Sequence, residues 1–144
     1  MSPREGDDGD GTPGGVGVVL VSHSAPVAES VAALAVQLAG GTASVAIRAA
    51  GGTADGRVGT SSELITQAAR AVDAGAGVVL LADLGSAVLT VKALLEDDEL
   101  PGGARLVDAP FVEGAVAAVV TASTGADVEA VASAASDAYA YRKT

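Results

Sequence analysis

Two short uncharged apolar runs, Val16-Gly17-Val18-Val19-Leu20-Val21 and Gly77-Val78-Val79-Leu80-Leu81-Ala82, most constrain what this chain of 144 residues can fold into. Neither alternates polar with apolar, so each reads as a strand covered on both faces, as in the middle of a parallel sheet. Each is followed by a segment of helical period. That alternation is the signature of βαβ units. The length fits one domain with a single core and is too short for two.

The remaining elements follow from the same patterns. Residues 25–39 place Val27, Val31, Leu34 and Leu38 at helical spacing, and Ser24-Ala25-Pro26 supplies an N-cap and a proline tolerated in the first turn. Residues 43–49 alternate, with Val45 and Ile47 against Ser44, Ala46 and Arg48, as an edge strand with one wetter face does. Thr60 and Glu63 form a capping-box pattern that opens a helix over 61–74, with Leu64, Ala68 and Val72 on its stripe and Gly75 stopping it. Ser86 is placed to cap the next helix, which carries Val88, Val91 and Leu95 and ends before a Pro101-Gly102-Gly103 turn. A fourth, half-wet strand over 105–108 and helical patterns over 111–123 and 127–141 complete the chain. The two dry strands belong at the centre. With right-handed crossovers this predicts an α/β fold: a single-domain open parallel sheet of strand order 2-1-3-4 with helices on both faces.

The sequence divides into a tail over 1–14 and a domain over 15–144. The tail is rich in Gly and Asp and holds no apolar run, so it is expected to be disordered. It carries a net −3 of the total −10, leaving −7 on the domain. Such acidity repels a phosphate backbone, and Phe111, Tyr139 and Tyr141 are the only aromatics, so nucleic acid is not an expected partner. No uncharged stretch reaches the roughly 18 apolar residues of a membrane span. With no cysteine and no signal-peptide core, a cytoplasmic location without a membrane partner is expected.

His23 is the sole histidine, and it stands just past the first dry strand, where a helix opens. Strands one and three are neighbours in the expected order, so Asp83, ending strand three, can reach His23 across about 5 Å. A carboxylate holding one imidazole N–H fixes the tautomer and leaves the other nitrogen as a nucleophile, which a phosphoryl-accepting histidine needs. The ordinary alternatives are a loop histidine bonded to its neighbours and an aspartate that merely turns the chain ahead of Leu84-Gly85-Ser86.

Three helix starts, near Ser24, Ser61 and Ser86, are expected at the same rim, each offering N–H groups to an anion. The loop over 50–61 adds Gly51, Gly52, Thr53, Arg57 and Thr60, and Gly85 precedes Ser86. These are the candidate phosphoryl-binding residues beside catalytic His23 and Asp83. On composition alone the loop reads as a Gly-rich connector with Arg57 and Asp55 solvated. It lacks the G-x-x-x-x-G-K-[ST] of a P-loop. A zinc site lacks cysteines and a second histidine, so no metal or cofactor is expected, and no serine stands in a G-x-S-x-G setting. The acids Glu96-Asp97-Asp98-Glu99 read as a solvated turn rather than a glycosidase pair.

Four motifs in order carry a resemblance: Val19-Leu20-Val21-Ser22-His23-Ser24; Gly51-Gly52-Thr53 with Asp55-Gly56-Arg57-Val58-Gly59-Thr60-Ser61; Asp83-Leu84-Gly85-Ser86-Ala87; and Val107-Asp108-Ala109-Pro110 with Val112-Glu113-Gly114-Ala115. Together they resemble the DhaM family, the phosphotransferase subunits of dihydroxyacetone kinase, whose N-terminal domain is similar to mannose-family enzyme IIA of the phosphotransferase system. The resemblance implies that His23 is the phosphorylated histidine and Asp83 the carboxylate beside it. It further implies a phosphoenolpyruvate-glycerone phosphotransferase relay: phosphoenolpyruvate to enzyme I, to HPr, to His23, then to ADP on the DhaL subunit, which phosphorylates dihydroxyacetone on DhaK. A homodimer is implied too. Some members carry fused HPr-like and enzyme I-like domains, and with the sequence ending at Thr144 a separate donor is expected. Alternative readings are an enzyme IIA component feeding a sugar transporter and a regulatory module read by its phosphorylation state.

Overall fold

The computed structural model describes residues 14–41 and 45–144, so the expected tail, apart from Gly14, and the start of the expected second strand lie outside the described residues. Within them the chain runs β1 (Gly17–Ser22), α1 (Ala25–Leu38), β2 (Ile47–Gly51), α2 (Ser62–Val72), β3 (Val78–Ala82), α3 (Gly85–Glu96), β4 (Ala104–Leu106), α4 (Phe111–Ser123) and α5 (Val128–Asp137), closed by a 3₁₀ turn at Ala138–Ala140. The strands form one parallel sheet of order β2-β1-β3-β4, the 2-1-3-4 arrangement that the two dry runs imply.

Successive side chains of a strand point to opposite faces, and here both faces are covered. Val18, Leu20, Val79 and Leu81 pack with residues of α1, α4 and α5 on one side. On the other, Val19, Val21, Val78 and Leu80 pack with α2 and α3. A strand buried on both faces has no place for alternating polar residues, which is why β1 and β3 read as continuous apolar runs.

Several boundaries differ from the sequence reading, each for a physical reason. β2 runs to Gly51 because its ladder with β1 continues to the Ser22 and Gly51 pair, although Ala and Gly have little intrinsic strand preference. The stripe on α1 is rotated: Ala28, Val31 and Ala35 face the sheet, whereas Val27, Leu34 and Leu38 are exposed. Small side chains allow α1 to lie close on the strands. α2 is capped by Ser61, whose Oγ accepts from Leu64 N at 3.1 Å, and not by Thr60. It ends at Val72, since Asp73 turns the chain by accepting from Gly75 N at 3.1 Å. Ser86 is not the cap of α3; Leu84 holds that position without a side-chain bond. The helix expected over 127–141 tightens into the 3₁₀ turn after Asp137.

The C-terminal edge of the sheet gathers the ends of β1, β2 and β3 and the starts of α1, α2 and α3. Gly51 is required there: a Cβ would come within 2.5 Å of Ser24 O and 2.6 Å of Ala25 Cα, so only glycine lets β2 end against the start of α1.

Candidate active site

Register brings the two titratable groups together. Val21 pairs with Ala82 in the β1 and β3 ladder, so the next residues, Ser22 and Asp83, leave neighbouring strands side by side, with His23 one step further. His23 Nδ1 lies 2.9 Å from Asp83 Oδ1, and both side chains are largely sheltered. The second carboxylate oxygen, Oδ2, accepts from His23 N at 3.1 Å and from Ser22 Oγ at 2.8 Å. Burial on its own would raise the Asp83 pKa. The His23 backbone N–H, the Ser22 hydroxyl and the imidazole outweigh it and hold the carboxyl below its ordinary value. Asp83 is therefore a carboxylate at neutral pH, an acceptor only, which makes Nδ1 the protonated ring nitrogen.

Nε2, left with its lone pair, faces the hydroxyl of Ser86, which donates to it. Ser86 lies in the first turn of α3, where backbone N–H groups have no partner within the helix. The three helix starts at this edge are not equivalent. Ser24 caps α1 by accepting from Val27 N at 3.3 Å, and Ser61 caps α2, whereas no side chain caps α3. The start of α3 is thus the one left open to an anion, and it stands beside Nε2. Gly85 has open space where a Cβ would lie.

The other candidate residues are drawn into the loop's own structure. Gly52, at φ +67°, donates its N–H to Ser22 O at 3.0 Å, and a Cβ there would lie 2.8 Å from Arg57 O. Thr53 bonds Asp55 through its hydroxyl, which also accepts from Arg57 N at 3.1 Å. Arg57 is 83% exposed, 3.4 Å from Asp55. Thr60 faces Thr90, Oγ1 to Oγ1 3.3 Å. Gly59 N, bonded to His23 O at 2.9 Å, ties this loop to the histidine. The geometry therefore joins His23, Asp83 and Ser86 directly, while Gly51, Gly52, Thr53, Arg57 and Thr60 shape the adjoining rim.

Ser22 is the site residue that the sequence reading passed over. The available signal was a hydroxyl ending a strand that otherwise holds only Gly, Val and Leu. A cleft of about 500 Å³ opens on the other side of Asp83, lined among others by Leu84, Gly85, Lys92, Phe111 and Tyr139. Tyr139 is held there by donating to Asp108 Oδ1 at 2.8 Å. No helix among the described residues is long and apolar enough to cross a membrane.

Residues 17–132 match the family model EIIA-man, PTS system fructose IIA component. The phosphoryl donor subunit DhaM of the PEP-dependent dihydroxyacetone kinase of Pantoea ananatis is 37% identical over 131 residues, which are 89% of this chain and 28% of that protein. The corresponding subunit of kinase 2 of Listeria innocua is 33% identical over 118 residues, 81% of this chain and 93% of that one. The chain thus spans just over a quarter of the first relative and nearly all of the second. A crystal structure of a protein of unknown function superposes with a TM-score of 0.73 at 31% identity, covering 85% of this chain and 94% of that one.

Proposed function

This chain belongs to the EIIA-man family, the fructose IIA components of the PTS system, and on that premise we propose that it is a phosphohistidine carrier. His23 takes a phosphoryl group from HPr and passes it to ADP on a DhaL-like subunit, for phosphorylation of dihydroxyacetone on its DhaK partner. The observation that carries the reading is the Asp83 contact to Nδ1, which leaves Nε2 as the nucleophile. Its relatives of the DhaM type are named phosphoryl donor subunits, which favours this acceptor over a sugar transporter.

In the first step the Nε2 lone pair attacks phosphorus while the bond from phosphorus to the donor's histidine nitrogen breaks, and that nitrogen leaves with its electron pair. No proton need move on His23, because Nδ1 already holds one against Asp83. Ser86 turns its hydroxyl from Nε2 to a phosphoryl oxygen, and the first-turn N–H groups of α3 face the same charge. In the second step a terminal phosphate oxygen of ADP attacks phosphorus and Nε2 leaves. The carboxylate stabilises the positive charge that the ring carries while phosphorylated. Gly51, Gly52, Thr53, Arg57 and Thr60 form the rim against which a partner's phosphoryl group arrives.

The same reading includes a homodimer. Leu34, Leu38, Val112, Val120 and Tyr141 leave an apolar groove between α1 and α4, which a second copy would cover.

Incubation with phosphoenolpyruvate, enzyme I and HPr, followed by mapping of the label, tests the carrier. An acid-labile, base-stable label on His23 is expected. Label on a serine, or undiminished labelling of His23→Ala, overturns the reading. A labelled His23 that cannot discharge to ADP on a DhaL-like protein rejects the dihydroxyacetone assignment and leaves the carrier standing.

A further inference from the structure

Among the described residues Ser22 is the only buried polar side chain, with 1% of its surface exposed. A buried hydroxyl needs partners, and every bond it makes here serves the site. Its Oγ donates to Asp83 Oδ2 at 2.8 Å and accepts from Ser24 N at 3.1 Å. Its carbonyl accepts from Gly52 N at 3.0 Å, fixing the end of β1 against the rim loop.

The two oxygens of Asp83 divide their work. Oδ2 is pinned by Ser22 Oγ and by His23 N, and Oδ1 is thereby aimed at Nδ1 of the imidazole. A carboxylate held by one oxygen only through a backbone N–H can swing about its last torsion, which is broad for such groups. A second bond from a buried, rigid strand end removes that freedom. An apolar residue at position 22 would remove that second bond and leave Ser24 N without its hydroxyl partner.

We propose that Ser22 is a positioning residue: its hydroxyl fixes Asp83 so that His23 is held with the proton on Nδ1 and the lone pair on Nε2. The consequence for phosphoryl transfer rests on the carrier reading, but the effect on the imidazole does not.

Ser22→Ala and Ser22→Thr test it, with two readouts on the full chain. Nitrogen-15 NMR of the His23 ring reports the tautomer at a pH where the ring is neutral, and label uptake from phosphorylated HPr reports transfer. In Ser22→Ala the Nδ1–H form should give way to a mixture of tautomers, and uptake should fall about ten- to a hundredfold, the range seen when the partner that orients a metal-bound histidine is removed. Ser22→Thr, which keeps the hydroxyl, should restore both. A Ser22→Ala ring that keeps the wild-type tautomer ratio overturns the proposal whatever the rate does. So does a folded Ser22→Thr that leaves the ratio mixed. Wild-type protein that takes no label at all would remove the carrier reading while the tautomer ratio still decides the role of Ser22.

Discussion

Asp83 Oδ1 lies 2.9 Å from His23 Nδ1 across 60 residues of chain, because β1 and β3 are neighbours in register and both end at the same edge. The contact selects the tautomer and, on the proposed carrier role, makes Nε2 the reacting nitrogen. On the same proposal a donor approaches from the Ser86 side of the ring, over the uncapped start of α3.

Replacing Asp83 by Ala removes the orienting group without opening the core, since the residue lies past the end of β3 and takes no part in the apolar clusters. Circular dichroism and the melting profile should remain those of a folded domain. The rate of label uptake by His23 should fall by roughly 10²–10⁴-fold, the scale of losing an oriented acid–base partner. A rate within about threefold of wild type would show that the pairing is structural only.

Ser86→Ala removes the hydroxyl that faces Nε2. Its expected cost is roughly ten- to a hundredfold in transfer rate, less than the ~10²–10³ of a buried oxyanion donor because Ser86 is exposed and water can replace it. Single-turnover uptake from phosphorylated HPr measures this. An unchanged rate would assign the phosphoryl contacts to the backbone N–H groups alone.

Much of this site could be read from the order of residues, because strand order follows from which runs are dry and the edge of the sheet follows from strand order. His23 and Asp83 were legible for that reason. Ser22 was not, since its importance depends on the register that sets it beside Asp83, and register is a property of two strands together. The division of labour among Ser24, Ser61 and Ser86 was equally hidden. All three stand near helix starts, but a displacement of one or two residues decides whether a hydroxyl turns back to its own helix, as Ser24 and Ser61 do, or outward to a histidine. The rotation of α1 escaped for another reason: large apolar residues were assumed to face the sheet, whereas close packing favoured Ala28 and Ala35.

Acid should disrupt the site through Asp83. Its folded-state pKa lies below the ordinary value because hydrogen bonds from His23 and Ser22 outweigh the effect of burial. A group with a depressed folded pKa contributes stability fully above its unfolded pKa of about 3.9 and loses it as pH falls through the folded value. The stability gap between wild type and Asp83→Asn should therefore shift against wild type below about pH 4, as wild type loses the contribution of its carboxylate. Urea unfolding at a series of pH values measures the gap. A gap moving in favour of wild type as pH falls from about 5 to about 3 would mean that the carboxyl is held protonated, contrary to its role as acceptor.

The groove between α1 and α4 predicts the oligomeric state. Leu38 and Tyr141 are 61% and 64% exposed, and Leu34, Val112 and Val120 join them in one apolar face. A twofold axis would bring the same face of two copies together, burying in each what the other exposes. Leu38 ends α1, a helix of 14 residues that starts just after His23, so it stands about 20 Å along the axis from the site at 1.5 Å per residue. Leu38→Glu should then convert a dimer to a folded monomer in light scattering after size exclusion, and its His23 should still take label from phosphorylated HPr. Wild-type protein that runs as a monomer at tens of micromolar, or a Leu38→Glu variant that stays dimeric, would place the homodimer interface elsewhere or remove it.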